Sequence, residues 1–328
     1  MRRMITVFMK RWFFSFVPGK KNILIVLIAL IGAISGILVA SRYLILDSFA
    51  ELEKNEVARN VQRVLSAITD DIETLHQIGE DWASWDDTYQ FMGDRNENYI
   101  QSNLVDETFL TLNLNQMVFV KPGGQILFSK AMDLASKQTR PVPANLLEFL
   151  ATHNLLDRSP ENGGKWSGIL LLSEGPLLVT IQPVRTSQEQ GPVAGTLIFG
   201  RFLDRSAIGD LQQKTHLSLN LLTFNSPSLP SDVTALLPQL PKDSTPVVRP
   251  LDGSMVTGYA LIPDILGEPA LILRVDQSRD IYRQGRRSVL SGVRNGTGSC
   301  LPASEKGLQF FNVLICQRIV SRFSASTK

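Results

Sequence analysis

The residues best able to do chemistry sit in one stretch, Gly79-Glu80-Asp81-Trp82-Ala83-Ser84-Trp85-Asp86-Asp87-Thr88-Tyr89-Gln90-Phe91-Met92. Two of the four tryptophans lie here, three residues apart, among Asp81, Asp86, Asp87 and Tyr89. Aromatic faces beside carboxylates suit two tasks. They can enclose a small ligand and orient its polar end, or fill a core while the acids stay in water. On a helix, positions three and four apart share a face. Trp82, Trp85 and Tyr89 then form one stripe, which Phe91 and Met92 extend. Asp86-Asp87 offers oxygens to a divalent cation, but adjacent helical positions diverge by about 100°. The pair needs ligands from elsewhere, and no metal is expected. The candidate ligand or signature residues are Asp81, Trp82, Trp85, Asp86, Asp87 and Tyr89.

Other chemistries find no support. His76, His153 and His216 are scattered and read as surface or structural residues. No HExxH, GxSxG, Walker loop or strand-following GxGxxG occurs. Cys300 and Cys316 stand near the end without CxxC spacing, so the body of the chain has neither a disulfide framework nor a cysteine-ligated metal. A net charge of +2 from 33 basic and 31 acidic residues gives no global reason to bind nucleic acid. No cofactor and no enzymatic activity are expected. A periplasmic hydrolase is the weakest of three function classes, because nothing selects a catalytic pair.

The elements that must position the stretch begin at a membrane. Arg2, Arg3, Lys10, Arg11, Lys20 and Lys21 form a basic leader over residues 1–22. Apart from Ser35, Ile23 to Ala40 is apolar or small, and Leu44, Ile45 and Leu46 extend the run beyond a snorkelling Arg42. Residues 23–46 meet the roughly 20 needed to span a bilayer. The run exceeds a signal-peptide core and its leader is long for one. The charge asymmetry keeps the N-terminus cytoplasmic and puts the chain beyond Leu46 in the periplasm or outside. This predicts a single-pass protein of the inner cell membrane.

Val57, Val61, Val64, Ile68, Ile72 and Leu75 recur in steps of three and four, a heptad pattern. No proline occurs from Val39 to Lys121. A long helix is predicted to about His76, bending near Gly79 and resuming through the tryptophans. Its apolar stripe would pair with a second copy as a homodimer, cover its own domain, or both. Hairpins are predicted at 117–129 and 254–275, and strands at 167–173, 177–184, 193–202 and 217–224. Helices are predicted at 105–110, 143–153, 205–214 and 277–287, with a long loop from Asn225 to Pro250. The order fits an α+β fold, an antiparallel sheet with helices packed on it.

With one span and a long outer helix before it, Asp81-Trp82-Ala83-Ser84-Trp85-Asp86-Asp87-Thr88-Tyr89 resembles the signature of the CHASE domain, type 4. Gly123-Gly124, Gly258-Tyr259, Asp264 to Pro269 and Arg279-Asp280-Ile281-Tyr282 are similar to later parts of that domain. The resemblance covers residues 47–287. It implies a PAS/Cache-like extracytoplasmic sensor that feeds cytoplasmic cyclase, phosphodiesterase or kinase modules. It implies a small-molecule ligand of unknown identity, so only signature positions transfer. From residue 288 the expected second span gives way to a polar, glycine-rich tail. A truncated or frameshifted receptor gene, with a non-native stretch at 291–328, is one expectation. The alternative function is a structural adaptor that dimerises or holds a partner through the heptad helix.

Overall fold

A computed structural model describes residues 20–153, 155 and 166–295. The chain divides into two compact units, one of residues 1–51 with 280–328 and one of Leu52–Arg279. Helix α1 runs from Lys20 to Ala83, 64 residues. In the first unit its apolar side chains from Ile25 to Ile37 are exposed. Ile25, Val26, Ile28, Leu30 and Ile31 are each more than half exposed. This part of α1 is long and apolar enough to cross a membrane.

The second unit holds two antiparallel sheets. After α1 come α2 (Asp86–Asp94), α3 (Glu97–Asn103) and α4 (Asp106–Leu112). Strands β1 (Gln116–Val120), β2 (Ile126–Asp133) and β3 (Gln138–Arg140) come next, then α5 (Ala144–Thr152). The chain continues with β4 (Trp166–Leu172), β5 (Gly175–Val184) and β6 (Gly195–Phe202). These six strands form one sheet, in the order β3-β2-β1-β6-β5-β4. Helix α6 (Arg205–Thr215) leads to β7 (Ser218–Thr223), α7 (Ser231–Leu236), a 3-10 turn at Leu237–Gln239, and β8 (Val247–Pro250). Strands β9 (Met255–Pro263) and β10 (Pro269–Ser278) complete a second sheet, β7-β10-β9-β8. Helix α8 spans Asp280–Asn295 and belongs with the first unit.

The α+β class is the one observed, with two sheets in place of the one expected. The heptad stripe is spent on them. Val57, Val61, Val64 and Leu75 are fully buried and Ile68 nearly so. Burial of each such side chain is worth about 1.5–3 kcal/mol. Residues from Val61 to Trp82 share one core with Phe119 and Phe199 of the first sheet and Leu273 and Val275 of the second. The seam predicted for a homodimer is therefore an intramolecular core. The exposed face of α1 in this unit is polar, with Asn55, Arg59, Arg63, Ser66 and Glu73 along it.

Three local expectations are corrected. Helix α1 does not break at Gly79. That residue is buried in helix, and a Cβ there would lie 2.7 Å from Thr180 Cγ2. The glycine lets the helix approach β5. The break comes at Ser84-Trp85. The Ser84 N–H and hydroxyl both still donate to the Glu80 carbonyl, and the next residue, Trp85, is extended. Asp86 and Asp87 then occupy the first turn of α2, where carboxylates suit the helix dipole. Trp82, Trp85 and Tyr89 thus do not share one helix. The segment 225–250 is not one loop, since it contains α7, the 3-10 turn and β8. Asn162-Gly163-Gly164, whose composition predicts a turn, and the tail beyond Asn295 lie outside the described residues.

Candidate functional site

The end of α1 and the start of α2 grip the β5–β6 connection. Trp82, in the last turn of α1, is buried. It stacks on Trp85 with centroids 4.7 Å apart and meets Phe199 of β6 edge-on at 5.7 Å. The Arg185 N–H donates to the Ala83 carbonyl at 3.0 Å. Asp86 accepts from the Ser187 N–H and hydroxyl, both at 2.9 Å. The backbone bond first, then the hydroxyl, holds the Asp86 carboxyl below the usual carboxylate range. The Tyr89 hydroxyl donates to the Pro192 carbonyl at 3.2 Å.

Beneath this clasp Phe91 stacks on Tyr99 at 4.6 Å. The Tyr99 and Thr88 hydroxyls are 2.6 Å apart. Burial, opposed by the Thr88 bond and helped by the Asp87 charge, pushes the Tyr99 phenol up to about 12. Met92 packs at Gly195, where φ is +154° and a Cβ would lie 2.4 Å from the Val120 carbonyl oxygen. Asp86 and Tyr89 are therefore brought together on one loop, and Trp82 and Trp85 stack on each other between α1 and α2. Asp81 and Asp87 are exposed and take no part in that grip.

Next to the clasp lies a buried polar cluster. His76 is 3% exposed. Its Nδ1 is 2.8 Å from Ser167 Oγ and 2.6 Å from Gln182 Nε2. Ser167 and Gln182 each bond to Thr180. The His76 Nε2 atom faces Glu80 at 3.8 Å, beyond hydrogen-bond reach. This histidine is structural in the sense that it joins α1 to β4 and β5. Its burial comes from its place one residue after Leu75 on the inner edge of α1.

A cleft opens on the other side of Ser167. Its volume is about 570 Å³, within the range of small-molecule sites. Leu65, Ile68, Ile72, Ile169 and Ile262 supply apolar wall. Gln62, Ser66, Thr69, Ser167 and Ser244 supply polar groups, and Asp70, Asp243 and Asp264 supply carboxylates. The Thr245 hydroxyl and N–H hold the Asp243 carboxyl below its usual range. No lysine, arginine or histidine is among the described residues that line it.

The β9–β10 tip closes one side of the cleft. Its Ile265 N–H donates to the Ile169 carbonyl of β4 at 2.9 Å. Gly168 permits this dock, since a Cβ there would come within 3.2 Å of Ile265. Four distant segments build the cleft, and no single motif announces them. The one sequence signal, Asp264-Ile265, is visible only as part of a family likeness.

A helix shared by two antiparallel sheets, with a cleft where a hairpin joins them, gives this unit an α+β architecture. Residues 67–222 match the family model described as the CHASE4 domain, and this segment of the chain is a CHASE4 domain. It is a sensor domain of the receptor kind. The chain is also similar to the methanogenesis regulatory histidine kinase FilI of Methanothrix harundinacea (strain 6Ac). Identity is 28% over 248 residues, covering 75% of this chain and 27% of that protein. The chain thus spans about a quarter of that relative's length. Two solved structures are similar at lower identity. The sensory domain of the Campylobacter jejuni chemoreceptor Tlp3 (CcmL) gives 12% identity and a TM-score of 0.45, covering 73% of this chain and 98% of that one. The periplasmic domain of Vibrio cholerae LuxQ gives 15% and 0.41, covering 68% and 99%.

Proposed function

We propose that this chain is the membrane-anchored, extracytoplasmic input domain of a signal-transduction receptor, and that a small molecule in the inter-sheet cleft is its stimulus. The observation that carries this is the cleft itself, in a chain that contains a CHASE4 domain. One wall is α1, the helix that also carries the apolar span. A ligand that fits one arrangement of α1, β4 and the β9–β10 tip better than another shifts the population between them. The basic leader places the N-terminus in the cytoplasm. The lining favours a neutral or cationic ligand, because its charged groups are carboxylates. Trp82, Trp85, Asp86 and Tyr89 act in this reading as a fastening that shapes the domain without touching the ligand, and Asp81 and Asp87 stay in solvent. In a homodimer, two α1 helices would meet through their polar faces.

The test is a thermal-shift screen of the detergent-solubilised chain against amines, amino acids, sugars and organic acids. A hit should raise the midpoint in proportion to ligand occupancy. Thr69, exposed on α1 and lining the cleft, is the control. Thr69→Trp fills the cleft and should abolish the shift while leaving the ligand-free midpoint in place. A shift that survives Thr69→Trp would move the binding site elsewhere. A flat screen of folded protein would favour the adaptor role.

A further inference from the structure

Helix α8 carries a basic face that the sensor reading does not use. Arg283, Arg286 and Arg287 are all exposed. Arg283 pairs with Asp280 in the preceding turn. Gly285, between them in sequence, is buried against α1, where a Cβ would lie 2.4 Å from Phe49 Cγ. Successive helical residues turn by about 100°. Arg283 therefore points about 200° from Gly285, and Arg286 and Arg287 flank Arg283 on that side. The helix packs on α1 by its glycine and presents guanidinium groups on the opposite side.

The Phe49 contact also fixes the level. Phe49 is three residues beyond Leu46, where the apolar span ends, which is about 4.5 Å along a helix. The polar headgroup layer on each side of a bilayer is about 5–7 Å deep. Gly285 and its neighbours thus stand at headgroup height, on the side of the span away from the basic leader. We propose that Arg283, Arg286 and Arg287 form a docking surface for the phosphates of anionic phospholipids. Guanidinium groups bind phosphate oxygens with paired, charge-assisted hydrogen bonds. The partner is the lipid surface in which α1 is anchored, so the inference rests on the membrane-anchoring part of the proposed function.

The experiment uses the full chain in nanodiscs of phosphatidylcholine, with or without phosphatidylglycerol. Trypsin cleavage after Arg286 and Arg287 is timed against cleavage after Lys137, an exposed turn residue at the β2–β3 connection. Anionic lipid should slow the first relative to the second by roughly tenfold, and high salt should restore it. Equal relative rates in the two discs would overturn the proposal. So would equal protection by millimolar inorganic phosphate in neutral discs, which would make the surface a general anion site.

Arg283→Gln/Arg286→Gln/Arg287→Gln, a change confined to exposed positions, should retain fewer phosphatidylglycerol molecules than wild type by native mass spectrometry. Unchanged retention would also refute the docking surface, with the basic leader as the remaining source. Carbonate extraction scores the anchor separately. If the chain is extracted, the anchor fails, and flotation of wild type and variant with anionic vesicles still decides the arginine face.

Discussion

Gly79→Ala tests whether α1 is pressed onto the six-stranded sheet. In an exposed helix this change gains about 1 kcal/mol from propensity. Here the new methyl would stand 2.7 Å from Thr180 Cγ2 and 3.4 Å from Gln182 Cγ. Ordinary carbon contacts need about 3.5–4.0 Å, so helix and strand must part by roughly 1 Å. Thr180 is fully buried, and its β-branched side chain has little rotamer freedom. Overpacking of this kind costs about 1–3 kcal/mol. Set against the propensity gain, the net loss is up to about 2 kcal/mol. For a domain of this size that lowers the thermal midpoint by up to about 8 °C, at 2–4 °C per kcal/mol.

Thr180→Ser removes the clashing methyl and keeps the hydroxyl that bonds Ser167 and Gln182. The double variant should therefore be more stable than the sum of the single changes by at least about 1 kcal/mol. The assay is thermal or urea unfolding of all four proteins in the same detergent. A stabilising Gly79→Ala, or strict additivity with Thr180→Ser, would refute the close approach and with it the role assigned to this glycine.

Three further outcomes are expected. Asp86→Asn should lower the midpoint at neutral pH and flatten its fall on acidification. The folded carboxyl titrates below its unfolded value, so its contribution is present above the unfolded pKa and is lost as pH drops through the folded one. Midpoints from pH 7 to pH 3 check this. Tyr99→Phe should cost about 1–2 kcal/mol, since the buried Thr88 hydroxyl loses its partner at 2.6 Å. In wild type, ultraviolet titration should show two tyrosines, Tyr99 and Tyr259, ionising only near 12, and Tyr99→Phe should leave one. Gly195→Ala should be the most damaging change, at about 3 kcal/mol or more, because it combines a positive φ with a backbone collision. Loss of folded protein in expression and unfolding assays measures it.

The strands were legible because Val, Ile, Leu and Phe runs end at glycine and proline turns, as between β1 and β2 and between β9 and β10. Their division into two sheets was not. Pairing joins β1 to β6 and β10 to β7, partners that only tertiary contacts select. The helical stripe at Val57–Leu75 was visible, but periodicity cannot say whether an apolar face meets a second copy or its own sheets. The tryptophans misled for a similar reason. Spacing of three suits a helix, yet Trp85 is extended and separates α1 from α2. In 225–250, proline and serine hid a short helix whose Val233 and Leu236 are buried. The cleft had no linear trace, because its walls come from four segments.

The dock of the β9–β10 tip on β4 has a consequence for the life of the chain before it is complete. Strand β4 is the outermost strand of its sheet, and Ile169-Leu170-Leu171-Leu172 makes it an apolar one. Such edges invite pairing with other chains. Ile265 caps the Ile169 carbonyl, but it is made nearly a hundred residues later. During synthesis the first sheet therefore carries an open, aggregation-prone margin on which the second sheet's hairpin later docks. Solubility of the first half depends on arrival of the second, so chains ending before Asp264 should need chaperone protection that the longer chain outgrows.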